Sequence, residues 1–115
     1  MAYKGGCHCG NIAFDVDGEI DQVVECNCSL CSKRGSLLWF VPRANLHLST
    51  PDAAMSTYTF NKHRIRHRFC PTCGVAPFGM GTDGKGNEIA AMNVRCFEGV
   101  DPASLKTVPY DGRSA

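Results

Sequence analysis

Eight cysteines in a chain of 115 residues constrain this protein more than any other feature of its sequence. They occur as Cys7-x-Cys9, Cys26-x-Cys28-x-x-Cys31, Cys70-x-x-Cys73 and an isolated Cys96. Cysteines two or three positions apart are poor disulfide partners for each other, but they can bring two sulfurs onto one small cation. A chain without a visible export signal is also expected in a reducing compartment, the cytoplasm, where thiols stay free. The spacing therefore favours thiolate metal sites over a disulfide framework.

Zinc is the metal that these thiolates favour, because soft sulfur ligands bind Zn²⁺ tetrahedrally, whereas iron–sulfur proteins use other spacings. The run Cys70-Pro71-Thr72-Cys73-Gly74 is typical of a zinc knuckle, in which a glycine allows the tight backbone turn. Two local pairs, Cys7 with Cys9 and Cys70 with Cys73, are sufficient for one closed four-sulfur site. Such a site leaves no position for substrate, so we expect it to cross-link the two ends of the fold.

A second zinc site is predicted at Cys26, Cys28 and Cys31, which lie within six residues of one another. Three protein ligands leave the fourth position open, as in catalytic or substrate-binding zinc sites. The alternative is that Cys96 supplies the fourth ligand and makes this site structural as well. Spacing alone leaves both interpretations open.

Short apolar runs separated by turn residues predict an all-β chain that forms one domain over residues 1–115. The run around Trp39 and Phe40 is typical of a fully buried strand, although an aromatic wall beside the three-cysteine loop would also suit a small-molecule pocket. One short helix is expected over Asp101–Leu105, with Asp101 as its N-cap. Zinc sites would stabilise a core as small as this one. The predicted strands lie at residues 12–16, 23–24, 36–41, 55–60, 63–69, 75–80 and 88–94, with turns at 61–62 and 81–87.

Charge and hydropathy exclude several other classes of protein. The net charge is only +1, which argues against a nucleic-acid binder that acts through bulk charge. No stretch is long and apolar enough to span a membrane. The basic residues of the 62–68 segment would share one face of a strand, as a solvated face or an anion-binding strip; they are Lys62, Arg64, Arg66 and Arg68.

Three motifs together resemble one known family. They are Gly5-Gly6-Cys7-His8-Cys9-Gly10, Cys26-Asn27-Cys28-Ser29-Leu30-Cys31 and Arg68-Phe69-Cys70-Pro71-Thr72-Cys73-Gly74. In this order they resemble the glutathione-dependent formaldehyde-activating enzymes, a family that also includes centromere protein V. The resemblance extends over about residues 5 to 105.

The resemblance implies a β-tent fold, shared with methionine sulfoxide reductase B, and two zinc sites. It also implies a carbon–sulfur lyase-type activity on the adduct of glutathione with formaldehyde or a related electrophile. Carried over by position, the structural zinc ligands are Cys7, Cys9, Cys70 and Cys73, and the catalytic set is Cys26, Cys28 and Cys31. Cys96 is not part of the family's core cysteine pattern.

Two residues next to the second site are candidates for substrate binding. Lys33 and Arg34 follow Cys31 directly and could hold a substrate carboxylate or form an ordinary solvated turn. Two other functions stay open: a non-catalytic zinc module that binds protein or nucleic acid, and a thiol redox enzyme with Cys96 as nucleophile.

Overall fold

The computed structural model describes residues 2–114, which form two β-sheets with one four-residue α-helix. The elements are β1 (Ala2–Gly6), β2 (Ala13–Asp17), β3 (Val23–Cys26), α1 (Cys31–Arg34), β4 (Leu38–Pro42), β5 (Leu46–Leu48), β6 (Ser56–Tyr58), β7 (Arg66–Phe69), β8 (Phe78–Thr82), β9 (Glu88–Asn93) and β10 (Thr107–Tyr110). The small sheet has the order β1-β2-β5, and the large sheet has the order β10-β3-β4-β9-β8-β7-β6. Only β10 is parallel to its neighbour, β3, among the pairings of the described residues. The predicted all-β fold is confirmed.

The hydrophobic core lies between the two sheets. Phe14 and Val16 of β2 are buried, as their alternation with polar residues predicted. Phe97 stacks on Tyr3 of the small sheet at a centroid distance of 5.7 Å and meets Trp39 of the large sheet edge-on at 6.1 Å. Aromatic contacts of this kind join the sheets through a compact apolar layer.

Strand β4 is buried on one face only, so the prediction of a fully buried strand is wrong. Trp39 and Val41 enter the core, whereas Phe40 between them is 52% exposed. Successive side chains of a strand point to opposite faces, and only one face of the large sheet meets the small sheet. The other face of β4 is therefore available for a ligand.

The segment before the zinc knuckle at Cys70 is less regular than its sequence suggested. The predicted two-residue turn at 61–62 is a seven-residue loop, 59–65, between β6 and β7, whose register pairs Tyr58 with His67. Asn61 and His63 adopt left-handed backbone conformations with φ of 57° and 56°, which are incompatible with continuing the strands. The hairpin of β8 and β9 is confirmed, and its turn spans residues 83–87.

The helical elements are shorter than expected. The predicted helix at 101–105 is a single 3-10 turn, Pro102–Ser104, with Asp101 accepting the Ala103 amide at its start. The α-helix α1, in contrast, forms where none was predicted, directly after the three-cysteine motif. None of the helices within residues 2–114 is both long and apolar enough to cross a membrane. Strands β1, β5 and β10 were also missed, because they are short or lack clear alternation.

Arg68 does not belong to a solvated basic face. Its side chain is 9% exposed, and its guanidinium donates to the Asp52 carboxylate at 2.6 Å and to the Asp52 carbonyl at 3.0 Å. This contact lowers the pKa of Asp52. Arg68 therefore anchors β7 to the neighbouring loop, and Arg66 stays on the surface beside Glu88.

Candidate active site

Four cysteines, two from a loop of each sheet, form the first cluster. Cys7 and Cys9 follow β1 of the small sheet, and Cys70 and Cys73 follow β7 of the large sheet. All four Sγ atoms lie within 4.8 Å of one another, with Cys7 to Cys9 at 3.7 Å and Cys9 to Cys70 at 3.5 Å. A tetrahedron with Zn–S bonds of about 2.3 Å has edges of about 3.8 Å. The first cluster can therefore hold a metal ion between the sheets.

Backbone amides point at the sulfurs of the first cluster. The N–H of Ile12 donates to Cys7 Sγ at 3.2 Å, and those of Thr72 and Cys73 donate to Cys70 Sγ at 3.4 Å. The Cys73 amide is the main reason why the pKa of Cys70 falls to about 6. Amide donors stabilise thiolates, so this donor set is suited to a cation that requires ionised sulfur.

Cys26, Cys28 and Cys31 form the second cluster, in which the three Sγ atoms also lie within 4.8 Å of one another. Cys26 ends β3, Cys28 lies in the following turn, and Cys31 begins α1. The Cys28 amide donates to Cys26 Sγ at 3.4 Å, and the Cys31 amide donates to Cys28 Sγ at 3.3 Å. These two hydrogen bonds fold the segment into a tight turn that brings its three sulfurs together.

The pKa values of the thiols in the second cluster are those expected of sulfurs that need a cation in order to ionise together. Burial, together with the sulfurs of Cys28 and Cys26, raises the pKa of Cys31 to about 12. Burial opposes ionisation of Cys28 as well, but amide donors led by that of Cys31 lower its pKa overall. Three adjacent sulfurs cannot all ionise without a positive charge between them. All eight cysteines are free thiols, so both clusters can hold metal ions.

Cys96 belongs to neither cluster, and its sulfur is close to Cys7 and Cys73 of the first cluster. Its sulfur accepts a weak hydrogen bond from Asn93 Nδ2 at 3.7 Å, and it is not grouped with the second-cluster sulfurs. Burial raises the pKa of Cys96 to about 11, with Cys7 and Cys73 acting in the same direction. The structure thus offers no contact by which Cys96 would close the second cluster. A raised pKa also disfavours its use as a redox nucleophile.

A cleft of about 670 Å³ lies beside the second cluster, on the face of the large sheet opposite the core. Its volume is typical of small-molecule sites. Leu38 and Phe40 of β4 form part of the floor, while α1 and the 59–65 loop contribute the walls. His67, half-buried in the cleft, stacks on Phe60 at 5.4 Å. Burial, with Arg34 nearby, lowers the pKa of His67 and favours its neutral form.

Of the two predicted substrate-binding cations, only Arg34 lines the cleft. Arg34 lines the cleft, with its Cζ 6.0 Å from the centroid of the Phe69 ring. Lys33, one residue earlier in α1, is exposed and is not among the cleft residues. Their roles in binding stay predictions, and the geometry favours Arg34.

The C-terminal segment 107–114 completes the cleft and was not anticipated from the sequence. Strand β10 runs parallel to β3 and pairs Tyr110 with Cys26. The Asn27 side chain donates to the Asp111 carboxylate at 3.0 Å and accepts the Arg113 amide at 2.9 Å. Tyr110, Gly112 and Arg113 consequently line the cleft. A parallel pairing across more than eighty residues leaves no local pattern in the sequence, so no sequence signal marked it.

The C-terminal segment packs directly against the second cluster at Gly112. A Cβ at this position would lie 2.5 Å from Cys26 Sγ and 3.2 Å from Cys28 Cβ. Replacing Gly112 with alanine is therefore expected to weaken metal binding at the second cluster by about tenfold or more, the effect typical of changes to residues that support metal ligands. Competition with a chromophoric chelator measures this affinity. Gly84→Ala is the matched control, because a Cβ there meets nothing within 4 Å. Equal affinities in the two variants would contradict the prediction.

Comparisons with known proteins agree with this architecture. The family model described as "Glutathione-dependent formaldehyde-activating enzyme" matches residues 2–107. A crystal structure of a Rhodobacter sphaeroides protein, a structural genomics target, superimposes with a TM-score of 0.79 at 30% sequence identity. The match covers 92% of this chain and 97% of that chain.

Proposed function

Because this chain belongs to the glutathione-dependent formaldehyde-activating enzyme family, we propose that it is a zinc enzyme of the carbon–sulfur lyase type. Its substrate would be the adduct of a thiol such as glutathione with an aldehyde, made or broken at the second cluster. The observation that carries this proposal is the second cluster itself, which adjoins a cleft of small-molecule size. Its three sulfurs have no fourth Cys, His, Asp or Glu ligand grouped with them among residues 2–114. A reducing compartment such as the cytoplasm would keep these thiols available.

The two clusters would have different roles, one structural and one catalytic. Cys7, Cys9, Cys70 and Cys73 would hold a structural zinc that joins the sheets, whereas the second cluster would hold a zinc with one open position. Zinc at such a site lowers the pKa of a bound thiol and so supplies a nucleophilic sulfur at neutral pH.

The chain's own residues would orient the substrate in the cleft. Arg34 and Arg113 line the cleft near the second cluster and can bind the carboxylates of glutathione through charge-assisted hydrogen bonds. In the forward direction a sulfur–carbon bond forms, the carbonyl π bond breaks, and the thiol proton ends on the new hydroxyl oxygen. Neutral His67 faces the same space and is available to carry that proton.

Zinc content and adduct exchange together test the proposal. The zinc-loaded protein is expected to contain one metal ion for each of the two clusters and to accelerate exchange between glutathione, formaldehyde and their adduct. Magnetization-transfer NMR measures that exchange against the uncatalysed rate. In the cobalt-substituted protein, glutathione should alter the thiolate-to-metal absorption of one site only. Two inert metal ions without faster exchange would instead favour a non-catalytic zinc module.

A further inference from the structure

The cleft exposes an unusual amount of apolar surface. Four large hydrophobic side chains are prominently exposed within residues 2–114, and three of them line this cleft: Phe40 at 52%, Ile65 at 49% and Tyr110 at 53%. Apolar side chains grouped on one concave surface generally mark a binding site. The single carbon that formaldehyde contributes to the adduct would cover little of this surface.

Small residues on the sheet create the space between these side chains. The register places Phe40 opposite Ala91, Ala91 opposite Gly79 and Gly79 opposite His67, in one row across four strands. Ile65 from the 59–65 loop lies over the row, because a Cβ at Gly79 would meet its Cγ2 at 3.5 Å. An apolar slot thus runs between Phe40 and Ile65 over a floor of alanine and glycine.

Apart from the cysteines of the second cluster, the charged residues that line the cleft are all basic. Four cations line the cleft, and no carboxylate does: Arg34, Lys62, Arg64 and Arg113. None of the four forms an ion pair with a described acidic residue. Unpaired cations around an apolar slot are complementary to an amphipathic anion.

We propose that the aldehyde partner carries an apolar group of several carbons, which occupies the slot formed by Phe40, Ile65 and Tyr110. This inference rests on the proposed function and names its substrate class: an anionic thiol joined to a hydrophobic aldehyde. The reaction balances as for formaldehyde, since the thiol adds to the carbonyl carbon and its proton moves to the oxygen. Phe40 and Ile65 lie within the residues that the family model matches, whereas Tyr110 lies beyond residue 107, where that match ends.

Two thioethers of glutathione test the slot without requiring turnover. Each buried methylene improves affinity by about fourfold, so S-hexylglutathione is expected to bind at least about tenfold more tightly than S-methylglutathione. Isothermal titration of the zinc-loaded protein measures both affinities. In Ile65→Ser and Phe40→Ser the ratio should fall towards one, while S-methylglutathione keeps its affinity. Gly79→Val, which fills the floor, should exclude the hexyl group with zinc content unchanged.

The outcomes separate this inference from the proposed function. Equal affinities for the two thioethers in the native protein, together with accelerated formaldehyde exchange, would overturn the slot and leave the proposed function standing. Failure of glutathione and both thioethers to bind, with no exchange, would overturn both. An unchanged preference for the hexyl group in all three variants would also overturn the slot.

Discussion

Replacing Cys70 with serine is expected to unfold the protein. Cys70 is fully buried, and its sulfur accepts amide N–H groups from its own loop within a cluster that joins the two sheets. A structural zinc contributes about 10–16 kcal/mol of apparent binding free energy, whereas a whole small domain is stable by only about 5–15 kcal/mol. Losing this metal should therefore remove the cooperative thermal transition, as measured by circular dichroism and calorimetry with zinc analysis.

The matched control for this substitution is Cys96→Ser. It removes a sulfur that is near Cys7 and Cys73 but does not belong to the first cluster, and serine can still accept from Asn93. The control should keep both metal ions and a melting temperature within a few degrees of the native protein. A Cys70→Ser variant that folds cooperatively without its first metal would show that the sheets do not depend on the cross-link.

Replacing Cys31 with serine is expected to abolish activity while the fold survives. All three sulfurs of the second cluster come from one short segment, so their metal does not connect the two sheets. The variant should contain half the zinc and lose adduct exchange by at least about 100-fold, since the metal provides the activated sulfur. Zinc analysis and exchange NMR measure these losses, and circular dichroism checks the fold.

The same Cys96→Ser variant is the control for the second cluster, because it shares the chemical change but lies outside the group. It should retain both zinc and exchange activity. A Cys31→Ser variant with native zinc content and native exchange would contradict the assignment of the second cluster. Loss of exchange in Cys96→Ser would instead return Cys96 to the reaction.

The local cysteine groups of both clusters were predictable because their determinants lie within a few residues of one another. Cysteines two or three residues apart can reach one ion whatever the rest of the chain does, which is why the second cluster forms within one turn. The alternation around Phe14 likewise marked a strand with one buried face. The 59–65 loop could not be predicted, because the left-handed residues Asn61 and His63 lie inside what resembles continuous strand sequence.

Sequence alone determined the ligand type, the three local groups into which seven of the cysteines fall, and the β class of the fold. Tertiary structure decided which strand face meets the other sheet, and hence that Trp39 is core while Phe40 lines the cleft. It also placed Cys96 beside the first cluster and carried Tyr110 and Arg113 to the second. The physical reason is separation along the sequence. Residues a few positions apart are held close by the chain itself, whereas contacts between distant residues depend on how the strands pair and the sheets pack.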